Sequence, residues 1–172
     1  LLFFTFNKSL KKKSLIILYG ILFLIIFQGY IGWYMVQSGL TERTDVSHYR
    51  LAVHLTLAFI IFILLLWNYL KYKYTQTHIH KERLAAYLPI LFIFCVLIQI
   101  CMGAFVSGLD AGQIYQTWPL MNQSYFPDDS KILDLFSLKA LETPSIVQFI
   151  HRNLAYLIVL LFSIILIKTF RN

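Results

Sequence analysis

The chain has 172 residues, of which 59% are apolar and only 13% are charged, and its formal net charge is +7. Soluble domains contain about half apolar and a quarter charged residues, so this composition excludes a disordered chain, a fibrous chain and a disulfide scaffold. It also argues against an ordinary soluble domain, because the apolar residues are clustered along the chain.

Long stretches without charged residues define the predicted elements. Three of them contain 28, 20 and 26 residues, and a fourth contains only 15: residues 14–41, 51–70, 84–109 and 153–167. A hydrocarbon core of about 30 Å needs roughly 20 helical residues, so the first three stretches can span a bilayer unaided. The fourth spans only if its helix begins near Val147 and carries His151 and Arg152 inside the outer part of the membrane. Ionisable residues at such depth are costly and are commonly functional.

These stretches predict an all-α, polytopic membrane protein with four transmembrane helices. In lipid every backbone polar group must be satisfied within the protein, so long apolar segments have to be helical. The predicted helices span residues 14–37, 49–71, 84–107 and 146–168. The glycines, Asp110, Tyr115 and Pro119 between the third and fourth helices predict a structured cap over the outer face, with a short amphipathic helix around residues 131–141.

Basic residues cluster on one side of the predicted membrane. They precede the first helix, separate the second from the third and follow the fourth: Lys8, Lys11, Lys12 and Lys13, then Lys71, Lys73, Lys81 and Arg83, then Lys168 and Arg171. The positive-inside rule therefore places a basic segment, residues 1–13, the loop 71–83 and both termini on the cytoplasmic or matrix side. Loops 37–50 and 109–147 then face outward. This explanation of the charge argues against nucleic acid as a partner.

A short pattern occurs twice along the chain. Each copy has a glutamine, a glycine four residues later and a histidine near the outer end of the following helix: Gln28, Gly32 and His54, and then Gln99, Gly103 and His151. Small residues promote close helix packing, which could account for the glycines alone. Close packing does not account for the recurring histidines.

Each of these histidines has an arginine nearby in sequence. Arg50 and His54 are four residues apart, so they share a helical face, with His54 about 6 Å deeper in the membrane. Arg152 directly follows His151. This combination is typical of heme binding, because heme iron accepts axial histidine nitrogen and arginine pairs with the carboxylates of the heme propionates. The alternative is that each histidine only forms a hydrogen bond with a neighbouring helix.

Four longer motifs contain these residues and resemble the heme A synthase family in its mitochondrial and alphaproteobacterial form. They are QGYIGWYMVQSGL, VSHYRLAVHL, GAFVSGLDAGQIYQTWPLM and VQFIHRNLAY, within residues 28–156. The resemblance implies an eight-helix membrane protein of two four-helix bundles, each holding one heme between two histidines. It also implies an oxidoreductase that converts a methyl group of heme O into a formyl group, with oxygen derived from water, and so supplies heme A to cytochrome oxidase.

Position by position, the resemblance gives the two histidines different roles. His54 is similar to the second histidine of the N-terminal bundle, which holds the substrate heme O. His151 is similar to the first histidine of the C-terminal bundle, which holds a heme b cofactor. Arg50 and Arg152 are expected near propionates, and both histidines are expected to bind heme iron. The two histidines lie at similar predicted depth, so a single shared heme is the alternative.

The resemblance covers only part of the family's architecture. Residues 14–71 are similar to the second half of the N-terminal bundle, and residues 84–168 are similar to the first half of the C-terminal bundle. The sequence is therefore expected to contain helices three to six of eight. The partner histidines and a glutamate of the family's first outer loop are not matched in it, and Glu142-Thr143 stands where the family pattern has Glu-Asn.

Three functions are compatible with these features. The first is heme A synthase, with an enzyme that produces heme O, the lipid bilayer and an electron acceptor as partners, in a bacterial or mitochondrial inner membrane. The second is a membrane b-type cytochrome that transfers electrons and leaves its heme unchanged. The third is a structural membrane subunit whose buried histidines are merely hydrogen-bonded. A homo-oligomer is compatible with each of them.

Overall fold

The computed structural model describes residues 2–6, 11–39, 45–74 and 84–170, and this part of the chain is almost entirely helical. The five α-helices are α1 (Leu2–Phe6), α2 (Lys12–Val36), α3 (His48–Lys73), α4 (Tyr87–Gly108) and α5 (Pro144–Phe170). Extended pairing among the described residues is limited to one isolated bridge between Met121 and Ser124. The prediction of an all-α protein is confirmed.

Helices α2, α3, α4 and α5 are each long and apolar enough to cross a membrane. The shortest, α4, has 22 residues, which corresponds to about 33 Å of helix. Large apolar side chains on these helices point away from the protein, and Ile26, Phe62, Trp67 and Ile90 are all more than half exposed. Such a surface suits lipid rather than water. The chain is an integral membrane protein with four spans, as predicted.

The spanning helices pack in chain order, with α3 against both α2 and α4 and with α5 against α4. The main buried cluster lies where α3, α4 and α5 meet: Ala52, Met102, Ala104, Phe105 and Val147. Gly108 allows close contact between the end of α4 and the start of α3. A Cβ atom on Gly108 would lie only 2.7 Å from the Cβ of His48.

Helix α5 begins earlier than the uncharged stretch suggested, at Pro144. Proline is favoured at the first helical position because its fixed φ angle suits a helix and its missing N–H would have no helical partner there. The helix therefore includes three further residues at its start before Val147, and His151 lies two turns into it. This early start lets α5 reach 27 residues although only 15 consecutive positions lack charge.

The segment between α4 and α5 is structured, as predicted, but its conformation differs from the prediction. Two short 3-10 turns, Ile132–Phe136 and Leu138–Leu141, replace the expected amphipathic helix. Ser137 separates them in an extended conformation, with φ −97° and ψ 156°. A side-chain oxygen of Asp134 accepts the backbone N–H of Lys131 at 2.8 Å. This bond caps the first turn, and the extended Ser137 separates that turn from the second.

Candidate heme-binding histidines

The first candidate site lies between α2 and α3, where the His54 ring contacts both Gln28 and Gly32. The Gln28 side-chain nitrogen lies 3.1 Å from His54 Nδ1 and 3.4 Å from His54 Nε2, and it donates to the His54 backbone oxygen at 2.9 Å. Gly32 lies directly against the ring, because a Cβ there would be 2.9 Å from His54 Cε1. Only glycine leaves room for the imidazole in this position.

The second candidate site repeats this arrangement between α4 and α5. The Gln99 side-chain nitrogen lies 3.2 Å from His151 Nε2, and a Cβ on Gly103 would lie 3.3 Å from His151 Cε1. His151 Nδ1 is buried and has no hydrogen-bond partner among the described residues. An unsatisfied buried polar group costs about 1–3 kcal/mol, so His151 Nδ1 adds no stability through a hydrogen bond to the described residues.

The two sites share one geometry, which gives the sequence repeat a structural meaning. In each, a glutamine and a glycine one turn apart on one helix face a histidine on the next helix, because residues at i and i+4 lie on the same face. His54 rests against α2 and His151 rests against α4, so the two rings contact different helices. On α3, Ala52 belongs to the cluster with α4, and His54, two residues later, lies about 200° further around the helix. This arrangement favours two separate sites over one shared heme.

The arginines near the histidines donate hydrogen bonds to backbone carbonyls. Arg50 Nη1 donates to the Tyr34 backbone oxygen at 2.8 Å, and its guanidinium lies 3.7 Å from the centre of the Tyr34 ring. Arg152 donates through Nη1 to the Thr117 oxygen at 2.8 Å and through Nη2 to the Tyr115 oxygen at 2.6 Å. A guanidinium carries five N–H donors, so these bonds are compatible with further acceptors.

Side chains of helix α5 form hydrogen bonds with the segment that follows α4. Gln148 is buried and donates to the Tyr115 backbone oxygen at 2.9 Å, which is also an acceptor of Arg152. Tyr115 is itself buried, and burial together with the nearby Asp129 carboxylate raises the pKa of its phenol above the ordinary value. Further along, the indole N–H of Trp118 donates to the Tyr156 hydroxyl at 2.7 Å. The segment is thus held beside His151 by polar contacts.

His48 has a different environment from the two repeated histidines. It is half-buried where α3 meets α4, with its ring centre 4.3 Å from that of Tyr49 and 5.4 Å from that of Phe105. Neither a glutamine nor a glycine of the repeated pattern faces it. In the described parts of the chain, no group of three or more His, Cys, Asp or Glu side chains could hold a metal ion.

The sequence predicted the histidines and arginines as site residues but did not assign a role to the glutamines. Gln28 and Gln99 are in the repeat, and an amide buried in a membrane helix needs a partner, so the signal was present. Their Oε1 atoms are buried and lack a hydrogen-bond partner among the described residues. Gln148 gave a weaker signal, because its carbonyl partners belong to an irregular segment.

Comparison with known proteins gives the family context of this arrangement. The family model described as "Cytochrome oxidase assembly protein" matches residues 1–172. The heme A synthase of Pelagibacter ubique (strain HTCC1062) is 47% identical over 175 residues, which cover 98% of this chain. The heme A synthases of Wolbachia pipientis subsp. Culex pipiens and of Agrobacterium fabrum are 43% and 42% identical, over 97% and 91% of this chain.

The chain belongs to the heme A synthase family. The resemblance of its four motifs to that family is therefore confirmed by matches along nearly the whole sequence. The chain spans about half the length of the curated relatives it matches, with 49% of the Pelagibacter protein and 43% of the Agrobacterium protein covered. No solved structure shows a significant match.

Proposed function

We propose that this chain forms part of a heme A synthase, an oxidoreductase that converts a methyl group of heme O into the formyl group of heme A. The observation that carries the proposal is the repeated contact of Gln28 and Gly32 with His54, and of Gln99 and Gly103 with His151. It occurs in a chain whose relatives are named heme A synthases. A duplicated histidine site inside a membrane is what two hemes would need.

The residues present fit heme on chemical grounds. Both imidazoles are partly shielded by protein, and each lies against a glycine that leaves the ring free of a neighbouring side chain. His151 Nδ1 and the Oε1 atoms of Gln28 and Gln99 have no hydrogen-bond partner among the described residues. Their bonding would change if iron occupied one ring nitrogen. When bound, heme supplies redox-active iron with axial histidine ligation.

We assign His54 to the substrate heme O and His151 to a heme b cofactor. Arg50 and Arg152 lie one turn and one residue from these histidines and can offer guanidinium donors to propionates. In the complete enzyme, residues 14–71 would belong to one four-helix bundle and residues 84–168 to the other. The segment fastened by Gln148 and Arg152 would exclude water from the His151 side.

The protein would lie in a bacterial or mitochondrial inner membrane, with the basic segments on the cytoplasmic or matrix side. Its partners would be an enzyme that delivers heme O and an acceptor for the electrons removed from the methyl group. The oxygen of the new formyl group would come from water. Self-association into a homo-oligomer fits the lipid-facing surfaces, which remain exposed.

Heme extraction tests the proposal directly. The full-length protein is expressed in membranes that contain heme O, and the extracted hemes are separated and identified by mass. We expect heme A in the wild type, its loss in His54→Ala and His151→Ala, and its retention in His48→Phe. Heme recovered without a formyl product would support a b-type cytochrome instead. A folded protein that holds no heme would support a structural subunit.

A further inference from the structure

Gln28 and Gln99 occupy equivalent positions, but they contact their histidines differently. The Gln28 amide nitrogen lies 3.1 Å from Nδ1 and 3.4 Å from Nε2 of His54, and it also donates to the backbone oxygen of that residue. Among the described residues, the Gln99 amide nitrogen contacts only His151 Nε2. Because a carbonyl oxygen accepts only from an N–H, the backbone bond fixes which end of the Gln28 amide faces the ring. No backbone carbonyl of the described residues fixes the end of the Gln99 amide in this way.

The difference determines what each amide can offer to its imidazole. A ring nitrogen that accepts from an amide must be unprotonated, and the Gln28 amide nitrogen lies near both ring nitrogens, so it can donate to whichever nitrogen of neutral His54 lacks the proton. A neutral imidazole has one unprotonated nitrogen, which is the atom that binds iron. Gln28 therefore competes with iron for the free electron pair of His54.

Gln99 can do the opposite for His151. Its Oε1 is buried and has no hydrogen-bond partner among the described residues, and the two ends of an amide are nearly the same shape. When iron takes one ring nitrogen, the other carries a proton, and the Gln99 amide can turn to accept it. Histidine ligands commonly donate that second N–H to a carbonyl or carboxylate, which fixes the ring and makes the ligand more basic.

We propose that Gln28 and Gln99 are positioning residues that make His54 a weak iron ligand and His151 a strong one. This inference rests on the proposed heme-binding function and deepens it. A weak ligand suits a heme that must leave as product, and a strong ligand suits a resident cofactor. The same residue type thus has opposite effects at the two sites, because only Gln28 is fixed by a backbone carbonyl.

The test uses the full-length protein with heme b as the added ligand, measured by titration and by the midpoint potential of each bound heme. His54→Ala and His151→Ala first identify the heme that belongs to each histidine. We expect Gln99→Leu to weaken binding at the His151 heme by about 10- to 100-fold and to raise its potential. Gln99→Glu, a stronger acceptor, should lower that potential. Gln28→Leu should leave binding at the His54 heme unchanged or tighten it.

The matched control is Asn68→Leu, which removes a membrane amide that donates to the Leu64 carbonyl of its own helix. Equal weakening by Gln28→Leu and Gln99→Leu would overturn the inference, as would potentials that none of the Gln99 variants shifts. In either case the proposed function survives, since heme still binds. If neither histidine variant removes a heme, the proposed function fails and the inference fails with it.

Discussion

The Cε1 atom of His54 lies so close to Gly32 that a methyl group added to this glycine would be only 2.9 Å away. Real Cβ atoms do not approach a neighbour this closely, so either the ring or the helix must move. At the second site the corresponding distance, from Gly103 to His151 Cε1, is 3.3 Å. The two sites therefore differ in how much added volume they tolerate.

Substitution of these glycines by alanine should affect the two sites unequally. Gly32→Ala is expected to displace His54, to lower the heme content of its site several-fold and to cost about 1–3 kcal/mol of stability through overpacking. Gly103→Ala should have a smaller effect, since a shift of a few tenths of an ångström relieves the contact. The measurements are heme per protein and thermal unfolding in detergent.

The control for this comparison is Gly29→Ala, since nothing lies within 4 Å of a Cβ at Gly29. That change should preserve heme content and add up to about 1 kcal/mol of helix stability. If Gly29→Ala lowers heme content as much as Gly32→Ala does, the contact between Gly32 and His54 is not the cause.

Gly108 makes the closest contact between α3 and α4. A Cβ there would lie 2.7 Å from His48 Cβ and 2.9 Å from His48 Cα, and the backbone of α3 cannot rotate away as a side chain can. We expect Gly108→Ala to separate α4 from α3 near His48 and to lower the unfolding temperature by more than Gly32→Ala does. Gly112→Ala, whose Cβ would have 3.8 Å of clearance to Val106, should unfold like the wild type.

Much of this fold could be predicted from the sequence, because the length of uncharged runs is a direct consequence of bilayer thickness. The predicted helix 49–71 lies within α3 (His48–Lys73), and the predicted helix 84–107 differs from α4 (Tyr87–Gly108) by a few residues. The repeated pattern of glutamine, glycine and histidine also singled out His54 and His151 in the sequence. Helical periodicity gives the face on which a residue lies, and the structure adds which helix that face meets.

The contacts of the segment between α4 and α5 could not be predicted in this way. Arg152 donates to the Thr117 and Tyr115 carbonyls, and its charge gave no sign of these bonds. Backbone carbonyls have no signature in a sequence, since every residue carries one. The extended conformation of Ser137, which separates the two 3-10 turns, could not be predicted either, because it depends on the turns beside it.

Loss of the Arg152 guanidinium should loosen the segment between α4 and α5. Arg152→Ala removes two donors from the Thr117 and Tyr115 carbonyls, so protease cleavage within residues 109–143 should become several-fold faster. Arg152→Lys supplies a point charge without the planar fork and should give an intermediate rate. Arg50→Ala, which changes a contact with Tyr34 at the end of α2, is the control and should leave cleavage of this segment unchanged.

The Tyr115 carbonyl has two side-chain donors, Arg152 and Gln148, so the two side chains should be energetically coupled. Either donor alone keeps this buried carbonyl satisfied, and each single change should therefore cost little at this atom. Removing both leaves the carbonyl without either side chain, and a buried acceptor that loses its partners costs about 1–3 kcal/mol. Arg152→Ala combined with Gln148→Leu should thus destabilise the protein by more than the sum of the single changes.

A double-mutant cycle on unfolding in detergent measures this coupling, which for residues sharing a partner is about 0.5–3 kcal/mol. The comparison pair is Arg152→Ala with Ser163→Ala, because Ser163 donates to the Val159 carbonyl of its own helix and not to the Tyr115 carbonyl. That pair should be additive. Additivity in the Arg152 and Gln148 pair would mean that water forms a hydrogen bond with the Tyr115 carbonyl once the side chains are removed. Water would then reach the segment between α4 and α5 more easily than its contacts indicate.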